Sequence, residues 1–555
     1  MRKKLYVLLI GLPLVLLVSC QEFDSFLDKA EPHASLLTGS YYTNMADAHE
    51  AITVAYSTFN TPGIWDKDML TFLGSIASDD AEAGGDFVNE VPAVEEFNRM
   101  VHTPANAHFF GIYGNLFRAI HFANLAITYL PQVAELDLDA DKKLLNQRIA
   151  EAHFIRAINY FYLTKVFGGV PKVDKLIGPA EYEMPKASVT EIYRLIESDL
   201  KHAISVLPLR SGWGSEYGRA SKGAAQALLA RLYLYESSYA KNYPEFTVAG
   251  ERFEGMRERW GEAFVYADSV INSGEYELVG INGERFDTWR GNVDGFRYIF
   301  TSNGDNSKEG VFEIQCIQEG LGWAVARGSS QTRWTSARYV LNPDGTEART
   351  SDWGLNWPTQ RLYDAFEPGD PRLRTTIAVP GDTFQIGVGL WREISFAKTA
   401  TGYYTRKFES SWEEYNGVPN ANWHTSPMNV RLIRFSEVYL IAAEAAYMSG
   451  QTAVALNYVN EVRKRARMSG DPGNTVPADL AAITLDAIKN ERRIELAMEG
   501  LRFYDLVRWR EEARLNENTV DDFDVVWEIP KHMFFPLPQR EIDVSRGTLK
   551  QYDGW

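Results

Sequence analysis

The chain has 555 residues, 45% of them hydrophobic and 24% charged, enough apolar material for one large core or two to three smaller units. Its formal charge of −17 argues against nucleic acid, whose binding needs a basic face. Beyond the first twenty residues no run is long and apolar enough to cross a bilayer, which takes ~20 residues in a helix.

The N-terminus reads as an export signal. Arg2, Lys3 and Lys4 make a positive end, Leu5 to Val18 is an apolar run, and Ser19-Cys20 follows. The plain reading is a signal peptide whose next residue is Cys. Leu17-Val18-Ser19-Cys20 also resembles a bacterial lipobox, in which the Cys20 thiol is acylated and becomes the mature N-terminus. Sulfur is the right nucleophile for that step, and several acyl chains anchor firmly where one binds only marginally. This predicts a signal peptide at 1–19 and a lipidated tether at 20–46. Removing 1–19 takes away three positive charges and no negative one, leaving −20. Gln21, Glu22, Phe23 and Asp24 put acid directly after the cysteine, which resembles the signal for surface export in Bacteroidetes-type lipoproteins. Once Cys20 is acylated, Cys316 has no disulfide partner, so stability must come from packing.

Residues 47–280 read as a helical region. Leu116, Ile120, Ala123 and Ile127 have helical spacing. The pattern from Glu151 stops at Gly168-Gly169, followed by Val170-Pro171. Ser188, with Glu191 three residues on, is a capping box that opens another helix. The Ala-rich stretch 218–238 offers small residues for close helix approach. Residues 431–555 read as a second helical region. There Leu456, Val459, Val462 and Ala466 share a face, and Glu491, Arg492, Arg493, Glu495 and Glu499 alternate with apolar residues before Gly500. The charges read as helix-surface pairs tying helices together, worth a few tenths of a kcal/mol each if exposed. Gly500 reads as a close contact or a bend. Paired helices with small residues at their crossings resemble tetratricopeptide repeats, with a plain α-bundle as the alternative.

Between them, residues 281–430 read as a loop-rich ligand-binding insertion. Gly, Asn, Asp, Ser and Thr are frequent, "GVFEIQCI" (310–317) reads as a short strand, and eight of the fourteen tryptophans fall here. Disordered segments are poor in aromatics, and long irregular segments in compact proteins are usually functional. Trp faces suit sugar C–H faces, and Trp also serves general interfaces and cores. Trp323 and Trp334 in "GLGWAVARGSSQTRW", and Trp353 and Trp357 in "SDWGLNWPTQ", sit among Gly, Ser and Asn, as a loop-borne platform would. Asp79 and Asp80 in "SDDAEAGG", and Trp65 in "PGIWDKD", complete the candidate ligand contacts.

Catalytic motifs fail. His49-Glu50 opens HExx, but Thr53 stands where the second His belongs. Gly218 to Gly223 has P-loop glycine spacing, yet Ala224 replaces the Lys. "DLDAD" (137–141) lacks the Gly and the bidentate Glu of a calcium loop, with Lys142 and Arg148 in their places. No GxSxG elbow and no Cys/His zinc cluster is present. A carboxylate pair such as Asp79 and Asp80 leaves a surface glycosidase open as a minor alternative. No cofactor is called for, although the acidic loops leave a structural calcium ion open.

Six stretches in order carry a family resemblance: 151–171, 218–235, 357–373, 434–466, 491–509 and "FPLPQREID" (535–543). Behind the lipobox-like start, the chain resembles the SusD/RagB nutrient-uptake lipoproteins of the outer membrane. The resemblance implies a mainly α fold, a tetratricopeptide-like helical repeat scaffold with an irregular loop-rich ligand-binding region and a few short strands. It implies a glycan ligand, a SusC-like TonB-dependent barrel as partner, attachment to the cell outer membrane through lipid on Cys20, and no enzymatic activity. The RagB branch keeps a peptide ligand as the alternative.

Overall fold

The computed structural model describes residues 42–87, 90–133, 139–317, 327–412, 425–511, 514, 519–520 and 523–555. Cys20, the signal segment and Trp323 lie outside the described residues.

The scaffold is a stack of helices: α1 (Met45–Ser57), α2 (Ala107–Tyr129), α3 (Asp139–Phe167), α4 (Val189–Val206), α5 (Lys222–Asn242), α6 (Trp260–Ile271), α7 (Phe435–Met448), α8 (Thr452–Met468), α9 (Leu485–Glu495) and α10 (Arg502–Trp509). Local sequence sets their ends. Ser188 Oγ accepts from the Glu191 N–H at 3.1 Å while Glu191 accepts from the Ser188 N–H at 2.8 Å, so the capping box forms and α4 starts there. Ser221 caps α5 in the same way, accepting from the Ala224 N–H. α3 ends at Phe167 because Gly168 turns into the left-handed region, φ 71°.

Each helix packs on the next: α2 on α3, α3 on α4, α4 on α5, α5 on α6, α7 on α8, α7 on α9. α6 also packs on α7, although residues 272–434 separate them in the chain. That excursion is closed at its base by strands β4 (Gly310–Ile314) and β8 (Val430–Arg434), antiparallel with Val430 opposite Ile314 and Arg434 opposite Gly310. Other short strands used below are β1 (Ala81–Gly84), β2 (Arg285–Thr288), β3 (Gly291–Asp294), β5 (Leu355–Pro358), β6 (Thr383–Gly387) and β7 (Leu390–Glu393). Among the described residues, strands pair only in twos, so the sheets are ties between loops and not a layer. The expected mainly α architecture is therefore the observed one.

One apolar core runs through the stack, joining Phe109, Ile155, Phe161, Leu229, Leu232 and Ile441. Burial of each such side chain contributes roughly 1.5–3 kcal/mol. A smaller core, with Phe296, Phe300, Leu362 and Phe408, fills the base of the excursion and borrows Ile494 from the end of α9 and Ala497 and Met498 from just after it.

The charges of 491–499 are not surface pairs. Glu491, Arg492, Glu495 and Glu499 are buried. Arg434 binds Glu309, Glu495 and Glu499, Arg465 binds Glu309 and Glu495, and Arg372 binds Asp370, Glu491 and Glu495. Lys407 Nζ reaches Glu499 at 2.7 Å and Arg463 reaches Glu491 at 2.9 Å. Charges sealed from water persist only when paired this closely. Gly500 (φ 76°) is where α10 meets the segment Ile64–Ile76: a Cβ there would lie 2.5 Å from Leu70 Cα.

Candidate functional site

The tryptophans named above have different fates. Trp65 is 2% exposed, in the π-helical segment Ile64–Ile76, edge-on to Tyr162 at 4.9 Å. Gly63 in the left-handed region turns the chain so that this residue points into the main core, and Trp65 is a packing residue. Trp357 is 7% exposed, on β5, edge-on to Tyr404. It pairs across the ladder with Glu82 of β1, so its ring also goes inward.

Trp334 and Trp353, by contrast, come together. Their rings stack with centroids 5.1 Å apart and planes 26° apart, and both are half-buried against the edge of the main core. Trp334 lies on a short helix, Gln331–Thr335, and Trp353 on the loop entering β5. The Trp353 N–H donates to the Arg333 carbonyl at 2.9 Å, tying the two together. Gly354 (φ 62°) allows this approach: a Cβ there would lie 2.9 Å from Arg338 Cβ.

Polar groups surround the pair. Lys67 Nζ lies 5.1 Å from the Trp334 centroid and pairs with Asp68 at 3.2 Å. The Arg338 guanidinium lies 5.6 Å from the Trp353 centroid, grips Glu90 bidentately at 2.5 and 2.6 Å, and donates to the Trp353 carbonyl. Arg338 outweighs burial and holds the Glu90 carboxyl below the usual carboxylate range. The buried Trp334 Nε1–H has no hydrogen-bond partner among the described residues. Sequence reasoning missed Lys67, Glu90 and Arg338, because they come from three distant segments and no local pattern links them.

Asp79 and Asp80 precede β1 and are 2% and 1% exposed. Arg502 donates to both Asp79 oxygens at 2.7 and 2.8 Å, and Arg493 donates to Asp80 at 2.7 Å. Burial opposes the Asp79 charge, but the Arg502 hydrogen bonds outweigh it and lower that pKa; at Asp80 burial prevails over Arg493 and raises it. Two carboxylates facing two guanidiniums join the β1 segment to α9 and α10, so both side chains serve the scaffold. Their backbones do reach the platform strand: the Thr359 N–H donates to the Asp80 carbonyl and Thr359 Oγ1 to the Asp79 carbonyl.

Among the described residues no group of three or more His, Cys, Asp or Glu side chains could hold a metal ion, and no helix is long and apolar enough to cross a membrane.

Comparison with known proteins adds a family. Residues 321–555 match the SusD family model, and residues 26–234 match one described as starch-binding and associating with the outer membrane. The SusD-like protein P2 of Formosa agariphila is 26% identical over 507 residues, covering 89% of this chain and 88% of that protein. The surface glycan-binding protein A from Bacteroides fluxus superposes with a TM-score of 0.73 at 25% identity, over 92% of this chain and 100% of that one. A laminarin-binding SusD-like protein superposes at 0.71 and 25% identity, over 93% and 100%.

Proposed function

This chain belongs to the SusD/RagB family, and from that premise we propose that it is a surface lipoprotein that captures an oligosaccharide on Trp334 and Trp353 and delivers it to a SusC-like TonB-dependent barrel. The observation that carries the reading is the stacked, half-buried indole pair with the Lys67 ammonium beside it. Such rings offer rigid area at low entropy cost. Sugar C–H faces lie flat on them, while the Lys67 ammonium takes hydroxyls. Lipid on Cys20 would hold the protein on the outer face of the outer membrane. The protein would bind and release its glycan unchanged, with no cofactor. The glycan-binding and laminarin-binding descriptions of the two similar structures support this reading.

The test is retention of the purified protein on an immobilised panel of plant, fungal and host-derived polysaccharides. At least one should retain it, and Trp334→Ala and Trp353→Ala should each weaken that binding about 10-fold, the loss of ~1.4 kcal/mol. Undiminished binding by both variants would refute the platform. Retention on none of the panel would refute the glycan.

A further inference from the structure

An open cleft of about 680 Å³ lies between the β2–β3 hairpin, the turn at Gly369–Thr375 and the end of α8. It shares no lining residue with the Trp334–Trp353 platform. Five arginines line it, Arg285, Arg290, Arg297, Arg374 and Arg406, in a protein whose overall charge is strongly negative.

The acids at hand leave some of that positive charge unmet. Asp382 is shared by Arg374 and Arg406. Glu409 is shared by Arg290, by Arg406 at 3.4 Å and by Arg297 at 3.7 Å. Asp294 directs one oxygen to the backbone N–H of Arg297, at 2.8 Å, as a helix cap. Asp471, on the rim, is exposed. Three buried guanidinium nitrogens make no hydrogen bond: Arg290 Nε, Arg290 Nη2, which touches Glu409 as an ion pair, and Arg297 Nη2; the two Glu409 oxygens make none either. Burial lowers the pKa of both side chains, and at Arg297 the neighbouring Arg290 lowers it further.

The donors are also held in place. Trp289 and Trp391 stack with planes 12° apart, and the Arg290 guanidinium lies 4.8 and 5.2 Å from their centroids. Arg297 is fixed by donating to the Arg406 carbonyl at 3.0 Å. An oriented guanidinium fork matches a planar carboxylate or the oxygens of a sulfate better than it matches a hydroxyl.

We propose that this cleft is a second, charge-reading subsite that binds the carboxylate or sulfate ester of an acidic saccharide, with Arg290 and Arg297 as its buried donors and Arg374 as its exposed one. The saccharide part rests on the glycan reading above; the anionic part does not.

The test is calorimetric titration of the purified protein with inorganic sulfate and with three oligosaccharides of equal length: an oligogalacturonate, a sulfated galactan and a neutral glucan. One acidic oligosaccharide should bind at least about 10-fold more tightly than the neutral one, with a preference that shrinks as salt is added. The arm that binds identifies carboxylate or sulfate. Arg297→Gln and Arg290→Gln should remove most of the preference. Arg374→Gln should reduce it severalfold, and its side chain is 60% exposed, so this variant tests the site even if the buried ones fail to fold. Trp334→Ala should leave the preference for acid intact. Equal binding of acidic and neutral chains, or a preference unchanged in Arg374→Gln, overturns the proposal. Binding of inorganic sulfate alone, with no preference among the saccharides, overturns the saccharide assignment. Failure of the platform reading looks different: neutral polysaccharide binding would then survive Trp334→Ala.

Discussion

Arg434 and Arg297 are both buried arginines of an acidic protein, one beneath α9 and the other at the foot of the β2–β3 hairpin. Around Arg434, five cations (Arg372, Lys407, Arg434, Arg463, Arg465) meet five buried carboxylates (Glu309, Asp370, Glu491, Glu495, Glu499). The arginine pKa values there are raised, because those carboxylates outweigh burial. Around Arg297 the same residue type has its pKa lowered, because burial and the neighbouring Arg290 outweigh Glu409. The first cluster is sealed and balanced, as a scaffold requires. The second lines an open cleft, where the proposed anion would complete the pairing. Buried charge alone separates nothing; whether its partners come from within the protein does.

The sharpest way to break this contrast is to remove one member of each cluster. Glu495→Ala should destabilise the protein by ~3–5 kcal/mol in chemical denaturation, since it strands Arg372, Arg434 and Arg465 without water. If it is mild, the balanced network is not holding the fold.

Acid should act on the same network. Glu495 and Glu499 are held below the usual carboxylate range, the cations around them outweighing burial. Their stability is present above the unfolded carboxylate pKa of about 4 and is lost as pH falls below it. An earlier, smaller decline should come from buried neutral histidines. Burial, with His532 beside it, lowers His102 to about 3, and burial lowers His532 to about 4. Their contribution is complete above about pH 6.5 and is lost as pH falls from there. Melting temperature against pH should show both phases, and His102→Phe should shrink only the first.

At the cleft the expected changes in stability are smaller. Sulfate at tens of millimolar should raise the melting temperature by a few degrees through binding to the native state, and Arg297→Gln should abolish the rise. In sulfate-free buffer Arg290→Gln should shift stability by no more than ~1 kcal/mol, because it removes a charge that is poorly compensated. A loss as large as that of Glu495→Ala would make the cleft part of the scaffold.

The scaffold was legible in the sequence where the signal is local. The Ser188–Glu191 box and the stop at Gly168 each depend on residues a few positions apart, and the glycine at 500 marks a close contact although its partner Leu70 is far away in the chain. The role of Glu491 to Glu499 was not legible, because their partners Arg372, Arg434 and Arg465 arrive from other elements. The candidate site divides in the same way. Trp334 and Trp353 stand out through the Gly- and Ser-rich loops that carry them. Trp357 has a similar neighbourhood, but its strand pairs with residues 81–84, and that pairing turns the ring inward. Asp79 and Asp80 look like free loop acids until Arg493 and Arg502, more than 400 residues later, close on them. The arginine cleft has no signature at all, since its lining is spread from Arg285 to Asn474.

The direct packing of α6 on α7, with β4 and β8 pinned together beside them, sets how freely this protein can change what it recognises. The long excursion leaves and re-enters the stack at adjacent points, so its feet are fixed whatever lies between them. Lengthening a closed loop is entropically inexpensive, ~0.6 kcal/mol for each doubling. Within that allowance new turns and rings can accumulate over the scaffold while the helices beneath keep their contacts. One stable frame can thus carry many different surfaces by rewriting a single stretch of chain.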